Sequence, residues 1–325
     1  MAELDSALID CVVLAAGRGK RLRPISDTVS KAMTPILGRA LIERVIQALA
    51  AAGLRKFTIV ASPDDESLTE FIGNELNDSS YTRVVFQDRR LGTAHALKIC
   101  RAEIESDNLV VTACDSLFAT EHIRHLLDVH RENGNDATLT LKPSTPEQIA
   151  RTSSVELDGS RIVRIVEKPA PGEAPSNMAC IQLYVFGRVI FEYLDRVAPS
   201  VRGEYELPDA FQMMMDDGLR FEGVKTDWRM DITCPRDIVL MTQYFMDNGE
   251  TAHSDNPLQI GPGTEIIEPV VYEDDSAVGA DCVVGPYVYL GEGARIGSNV
   301  QISNSVLMAG ASLADGVEMS YDVIV

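Results

Sequence analysis

The sequence predicts an α/β domain built on a Rossmann-like, mostly parallel sheet, followed by a short parallel β-helix. Three observations carry this expectation. Up to residue 135, apolar runs of strand length alternate with amphipathic segments of helix length, the pattern of crossovers on a parallel sheet covered on both faces. The first run, Ile9–Ala15, passes directly into Gly17-Arg18-Gly19-Lys20-Arg21. A buried strand that ends in such a turn bares backbone N–H groups at its carboxyl end, where a phosphate can approach. Beyond residue 263 the apolar residues recur every six positions, the mark of stacked β-helical coils.

Taken in order, strands are expected at Ile9–Ala15, Phe57–Ala61, Thr82–Phe86 and Leu109–Ala113, and helices at Leu41–Ala52, Ala94–Ile104 and Glu121–Asn133. Ligands on such sheets sit beyond the carboxyl ends of the strands, where Gly17 and Asp115 fall. Val155–Leu157, an Asp158-Gly159 turn and Ile162–Val166 read as a hairpin. A Pro/Gly-rich loop, Pro169–Pro175, then precedes a strand at Ile181–Phe186. Helices near 188–197 and 207–216, a strand at Phe221–Thr226 and a helix at 235–247 complete a domain spanning 1–250. Residues 251–263, polar and broken by glycine and proline, read as a linker. In 264–325, Val278, Val284, Leu290, Ile296 and Ile302 hold the six-residue period. The register then slips by one, and Leu307, Leu313, Met319 and Val325 continue it.

The formal net charge is -20, which argues against a nucleic-acid partner. Against that background, Arg18, Lys20, Arg21, Arg23 and Lys31 form a local cationic cluster opposed by one acid, Asp27. Met1–Asp5 lacks the basic-then-apolar layout of a signal peptide. No apolar run reaches membrane-spanning length. The six cysteines are scattered singly, as reduced, mostly packed thiols would be, so a cytoplasmic protein is expected.

The glycine turn is neither a P-loop, whose spacer it lacks, nor a dinucleotide fingerprint, whose third glycine would fall at Leu22. Leu14-Ala15-Ala16-Gly17-Arg18-Gly19-Lys20-Arg21-Leu22-Arg23-Pro24, with Ser30-Lys31-Ala32-Met33-Thr34-Pro35 after it, resembles the signature loop of the sugar-1-phosphate nucleotidyltransferases. Lys20 and Ser30 depart from the usual Thr and Pro. The resemblance implies a Mg²⁺-dependent enzyme that joins a nucleoside triphosphate to a sugar 1-phosphate and releases pyrophosphate. It also implies that the repeats form a left-handed β-helix. Leu14, Ala16, Gly17 and Gly19 are then expected at the substrate, and Arg21 and Lys31 on the triphosphate.

Further segments extend the resemblance. The strand ending in Asp115, and Asp231 near Trp228 and Pro235, are similar to the family's metal-binding carboxylates. Asp115 could otherwise cap the next helix. Gln87 with Gly92-Thr93-Ala94 resembles its base-recognition segment. His95 is expected to be a helix residue without a chemical role. In Glu167-Lys168-Pro169, the lysine would align the sugar phosphate, and the glutamate joins the substrate-binding set. Asn177, in Ser176-Asn177, joins the substrate-binding set, and Glu204, in Gly203-Glu204-Tyr205, is expected to bind sugar hydroxyls. Gln182 stands where the family has glycine. His122, His125 and His130 are expected on a solvated helix face, because no neighbouring acid or cysteine completes a metal site.

The segment Gly92–Ala96 is most similar to that of uridylyltransferases acting on N-acetylglucosamine 1-phosphate. The Gln87 amide can pair with a pyrimidine edge, so UTP or dTTP is the nucleotide the resemblance implies. The rival reading is a catalytically weak, nucleotide-sugar-binding regulatory partner of an active paralogue. An open-ended β-helix also implies a cap or partner, so a homo-oligomer is expected.

Overall fold

The computed structural model describes residues 9–75 and 81–325, so the N-terminal segment Met1–Asp5 lies outside the described residues. Two compact units are present. One holds the described chain up to Gly17 together with Val45–Arg229; the other holds Arg18–Arg44 together with Met230–Val325.

In the first unit the core strands are β1 (Asp10–Leu14), β2 (Lys56–Ala61), β3 (Tyr81–Phe86), β4 (Asn108–Ala113), β5 (Ala137–Pro143), β6 (Ser153–Asp158), β7 (Arg161–Glu167), β8 (Met178–Gly187) and β9 (Phe221–Lys225). Among the described residues they form one nine-stranded sheet in the order β3-β2-β1-β4-β8-β5-β9-β7-β6. The four strands anticipated before residue 135 are mutually parallel. Strands β1, β2 and β4 carry apolar runs because both faces are covered, and Cys11, Val12 and Val13 are fully buried, whereas the edge strand β3 is only partly covered. Past residue 135 the sheet becomes mixed, with β8 antiparallel to both β4 and β5. Strand β5 has no counterpart in the sequence reading, because Thr138, Lys142 and Thr140 break its apolar run. Its threonines are nonetheless fully buried.

The helices are α1 (Leu41–Ala51), α2 (Glu66–Glu75), α3 (Thr93–Lys98), α4 (Thr120–Asn133), α5 (Pro146–Ile149), α6 (Ile190–Leu194), α7 (Leu207–Asp216) and α8 (Pro235–Asp247). Helix α2 is absent from the sequence reading, since its apolar stripe is sparse. The helix expected at Ala94–Ile104 stops at Lys98, and a separate 3₁₀ turn follows at Arg101–Glu103. The hairpin turn falls on Gly159-Ser160, one residue later than expected, because Asp158 pairs with Arg161.

The histidines of α4 correct another expectation. His125 is exposed, but His122 and His130 are buried against the sheet. His122 Nε2 lies 2.9 Å from Thr140 Oγ1, and His130 Nδ1 lies 3.0 Å from Thr138 Oγ1. The hidden threonines of β5 supply the partners that let these rings be buried.

The second unit contains three parallel sheets of four short strands each. Successive coils pair directly, as Val278 does with Ile296 and Val284 with Ile302. The hexad glycines are needed because coils stack backbone on backbone: a Cβ on Gly279 would lie 2.6 Å from the Gly297 carbonyl. The slip in period is a corner that shortens. The corner at Gly285-Pro286-Tyr287 has a shorter equivalent at Asn304, and again at Tyr321. The last inward residue is therefore Ile324, paired with Leu307, and not Val325, which is 46% exposed. Helix α8 lies along this coil stack. Gln243 Nε2 donates to Asn304 Oδ1 at 2.9 Å, Tyr287 Oη to Asp247 Oδ1 at 2.7 Å, and Arg236 stacks on Tyr321. No helix among the described residues is long and apolar enough to cross a membrane.

Burial pushes His122 and His130 down to about 4. Their unfolded-state value near 6.5 means that, between about 6.5 and 4, the unfolded chain binds the extra protons. Stability present above pH 6.5 is therefore expected to drain as pH falls through that window. Urea melts should show a shallower pH slope for the His122→Gln/His130→Gln double variant than for the unmodified protein. Parallel slopes would contradict this account.

Candidate active site

The carboxyl ends of the parallel strands carry the first group of residues. Hydrogen bonding continues past β1, with Ala15 N donating to Val60 O at 2.8 Å and Cys114 N to Leu14 O at 3.1 Å. Two residues beyond Leu14, the carbonyl of Ala16 accepts from Arg90 Nε at 2.8 Å, while Arg90 Nη2 reaches Ser62 Oγ at 2.8 Å. Arg90 thus pins the chain just before Gly17, a role that its place in the Asp88–Leu91 loop did not advertise. A Cβ on Gly17 would meet nothing within 4 Å. The protein itself imposes no glycine there.

Gln87 is buried, and its amide nitrogen donates to Gly92 O at 3.2 Å and meets His95 Nδ1 at 3.1 Å. That contact makes Nδ1 the acceptor and leaves the ring proton on Nε2. Burial, followed by the charges of Lys98 and Arg89, lowers the His95 pKa. His95, expected to be inert, is a neutral brace under the Gly92 turn.

That turn is clasped by a segment more than a hundred residues away. Tyr205 N donates to Leu91 O at 2.7 Å, Ala94 N to Tyr205 O at 2.9 Å, and Leu207 N to Thr93 Oγ1 at 3.3 Å. Gly92 has φ 106, and a Cβ there would sit 2.5 Å from the Tyr205 carbonyl oxygen. Only glycine satisfies both the conformation and the approach. The clasp brings Gln87, Gly92 and Thr93 beside the Gly203–Leu207 segment that carries Glu204. Behind it, buried Glu206 accepts from Arg202 Nη2 at 2.7 Å and Nε at 3.2 Å. The bonds to Glu206 chiefly hold Arg202 charged, with the carboxylates of Glu167 and Glu204 adding to the effect.

Glu167 and Lys168 leave the end of β7. Lys168 has φ 43, a left-handed conformation that a bulky residue adopts only under constraint. Its N–H donates to Thr152 O at 2.9 Å, its Nζ lies 3.3 Å from Glu167 Oε1, and Glu167 Oε2 accepts from Ser153 Oγ at 2.5 Å. Nearby, Ser176 Oγ donates to Val155 O at 2.6 Å, which fixes the strand entry beside exposed Asn177. Gln182 lies where the β8–β5 register shifts, between Ile181 and Tyr184. Its carbonyl accepts from Thr112 Oγ1 at 3.0 Å, near the end of β4.

Asp115 follows β4 and is half-buried. It does not cap α4, whose N-cap is Ala119. Its Oδ1 accepts from Ser116 Oγ at 3.3 Å, and that hydroxyl accepts from Arg229 Nη2 at 2.9 Å. Arg229 is a further residue that sequence reasoning passed over.

In the second unit, Gly19 has φ 59 and opens a 3₁₀ turn at Lys20–Leu22, anchored by fully buried Leu22 and Ile25. Arg18, Lys20 and Arg21 are exposed. Asp27, the loop's acid, pairs with Arg23 at 3.0 Å. A Cβ on Gly19 would lie 3.3 Å from that of Lys31, so the two cross closely. Asp231 ends a short strand, Arg229–Asp231, and its Oδ2 accepts from Thr233 Oγ1 at 3.1 Å. Asp237 caps α8 by accepting from Thr233 N and Cys234 N, both at 2.7 Å. Of the expected set, Gly19, Arg21, Lys31 and Asp231 belong to this unit; the others belong to the first.

A family model described as nucleotidyl transferase matches residues 10–250, and one described as the GMPPB C-terminal domain matches 266–325. The chain therefore belongs to the nucleotidyl transferase family, in its sugar-1-phosphate branch. It is 31% identical, over 93% of its length and 75% of the relative's, to a bifunctional sugar-1-phosphate nucleotidylyltransferase/acetyltransferase from Sulfurisphaera tokodaii. It is 29% identical to the UTP–glucose-1-phosphate uridylyltransferase AglF of Haloferax volcanii, over 70% of this chain and 93% of that one. The bifunctional protein GlmU of Staphylococcus epidermidis is 26% identical, over 95% and 79% of the two chains. Among solved structures, a UDP-glucose pyrophosphorylase complexed with UDP-glucose superposes with a TM-score of 0.67. It is 21% identical and covers 74% of this chain and 99% of that one. At that identity the likeness speaks for the fold.

The clasp yields a test. Gly92→Ala is expected to lower kcat/KM for nucleotidyl transfer by about a hundredfold, because the new methyl must displace the Tyr205 backbone by about an ångström. Pyrophosphate-release kinetics would check it, and a loss smaller than threefold would show that the clasp is not needed.

Proposed function

We propose that this enzyme transfers a nucleotidyl group from a nucleoside triphosphate, with UTP or dTTP favoured, to a sugar 1-phosphate, releasing pyrophosphate. The observation that carries this reading is the clasp. It sets the Gln87–Thr93 segment, proposed to read the base, against the Gly203–Leu207 segment, proposed to hold the sugar. Because the Gln87 amide nitrogen is already spent within the chain, base recognition by Gln87 would rest on its carbonyl oxygen. Leu14, Ala16, Gly17 and Gly19 would present backbone to the nucleotide. The open space at Gly17 supports a close approach there.

In this reaction the sugar phosphate attacks the α-phosphorus in line, and the protein's work is alignment and charge neutralisation. Lys168 would align the attacking phosphate, with the Glu167 carboxylate, itself held by Ser153, fixing the lysine. Arg21 would meet charge that develops at the α-phosphate, and Lys31 would hold the leaving pyrophosphate. Asn177 and Glu204 would bind sugar hydroxyls. Asp115 and Asp231 are half-buried carboxylates, each with one oxygen steadied by a hydroxyl. Each would offer the hard carboxylate oxygen that Mg²⁺ takes alongside phosphate oxygens. A bound Mg²⁺ would neutralise phosphate charge and hold the triphosphate in line. The same reading makes the protein a cytoplasmic homo-oligomer.

Pyrophosphate release measured across a matrix of nucleotides and sugar 1-phosphates tests the activity. Turnover for at least one pair is expected, with the pyrimidine nucleotides leading, whereas binding without turnover would favour the regulatory reading. Asp115→Asn should keep the fold and lose about a thousandfold in kcat; near-normal turnover would exclude it as a metal ligand. Arg21→Ala should lower kcat more than it raises KM for the nucleotide. An effect confined to KM would reassign Arg21 to ground-state binding.

A further inference from the structure

The β-helix reaches into the segment that carries the loop cations. Residues 35–40 form a small hairpin in which Pro35 pairs with Ala40 and Ile36 with Arg39. Its two-residue turn is Leu37-Gly38, at φ 47 and φ 76. Leu37 is 2% exposed, so a non-glycine residue is held left-handed in a buried turn. That strain persists only where the surroundings dictate it. The surroundings are side chains of the β-helix. A Cβ on Gly38 would lie 2.1 Å from Glu273 Oε1 and 3.8 Å from Tyr289 Oη. Tyr289 is fully buried, its hydroxyl donates to the Glu273 carboxylate, and it also bonds the Gly38 backbone. Glu273 is fixed in turn by accepting from Glu292 N at 2.9 Å.

The hairpin is tied back to the loop by its own backbone. Leu41 N donates to Thr34 O at 3.0 Å, Ile42 N to Ala32 O at 2.9 Å, and Thr34 Oγ1 to Ser30 O at 3.2 Å. These bonds enclose Lys31, whose side chain crosses Gly19. On the other side of the hairpin, buried Arg44 donates to Ile36 O at 2.6 Å and forks onto both oxygens of Glu250. The rungs of the β-helix are thus linked to Lys31 by an unbroken run of hydrogen bonds and close packing.

We infer that Tyr289 and Glu273 are positioning residues for nucleotidyl transfer: by gripping the Leu37-Gly38 turn, the β-helix sets the place of Lys31 against Gly19. The inference rests on the reading of Lys31 given above. It makes the β-helix part of the transferase machinery as well as a packing domain.

The test is a double-mutant cycle on the full-length protein, run with the nucleotide and sugar-phosphate pair that turns over fastest in the matrix. Tyr289→Phe keeps the ring and removes the hydroxyl, and should lower kcat/KM about tenfold, a small displacement of a charged group having that cost. In a Lys31→Ala background the same change should cost less than twofold, because the residue being positioned is gone. Glu273→Gln, which keeps shape and one acceptor, should recover most of what Glu273→Ala loses. Hydrogen exchange reads the grip without turnover: in Tyr289→Phe the amides of Leu41 and Ile42 should exchange about tenfold faster, while those of Val12 and Val13 should not change. Equal losses in both backgrounds, or unchanged exchange at Leu41 and Ile42, would overturn the inference. Normal transfer by Lys31→Ala alone would remove the Lys31 reading and the inference with it. Impaired Lys31→Ala beside normal Tyr289→Phe would overturn the inference alone.

Discussion

The parallel pairing of β1 with both of its neighbours is the constraint on which the first unit rests. Val13 pairs with Ile59 on one side and Thr112 on the other. These strands are buried on both faces, so each backbone group has only the adjacent strand to bond, and a slipped register would orphan the row. That register, with the parallel pairing of β2 to β3, brings the four strands to an end at one level. Ala16 and Gly17 after β1, Gln87 after β3 and Asp115 after β4 then leave the same edge of the sheet. The edge is finished by side chains whose polar ends bond backbone, chiefly Arg90 on Ala16 and Gln87 on Gly92.

At the edge, the polypeptide holds the segments proposed to meet substrate with main-chain bonds, which suits a reaction in which position and charge do the chemical work. The bonds from Leu91 and Ala94 to Tyr205 join parts of the chain that ordinary loop flexibility would keep apart. Gly92 makes this possible by leaving no side chain in the way. Lys168 shows the opposite solution, a long side chain forced into a left-handed backbone and steadied by Thr152 and Glu167. Strain of this kind in a residue proposed to align a substrate is stability given up for geometry.

The second unit obeys a different rule. A stack of short parallel strands buries one aliphatic residue per rung face, and its glycines let adjacent coils touch. Helix α8 covers part of the stack, and the hairpin before α1 sits against Tyr289 and Glu273. The cation-bearing loop therefore shares a compact unit with the β-helix and not with the strand that launches it. Sequence adjacency and structural membership part company between Gly17 and Arg18.

The sequence by itself determined the α/β class, the β-helix and most of the element positions, since periodicity and turn residues are local properties of the chain. It also pointed to Gly17, Gln87, Gly92, Asp115, Lys168 and Asp231, which stand in continuous motifs. Tertiary structure alone decided what holds them. Strand β5 was hidden because threonines at 138 and 140 look solvent-facing until His130 and His122 pair with them. Arg90, Arg229, Glu206 and Tyr289 were illegible for the same reason: an isolated charge or phenol acquires meaning only from the distant groups that bond it. His95 is biased toward its neutral form by burial, followed by the charges of Lys98 and Arg89, while the Gln87 amide orients its ring. Local pattern records what a segment will become, whereas the partner of a buried polar group is chosen by contacts between residues far apart in the chain, and these exist only once the chain has folded.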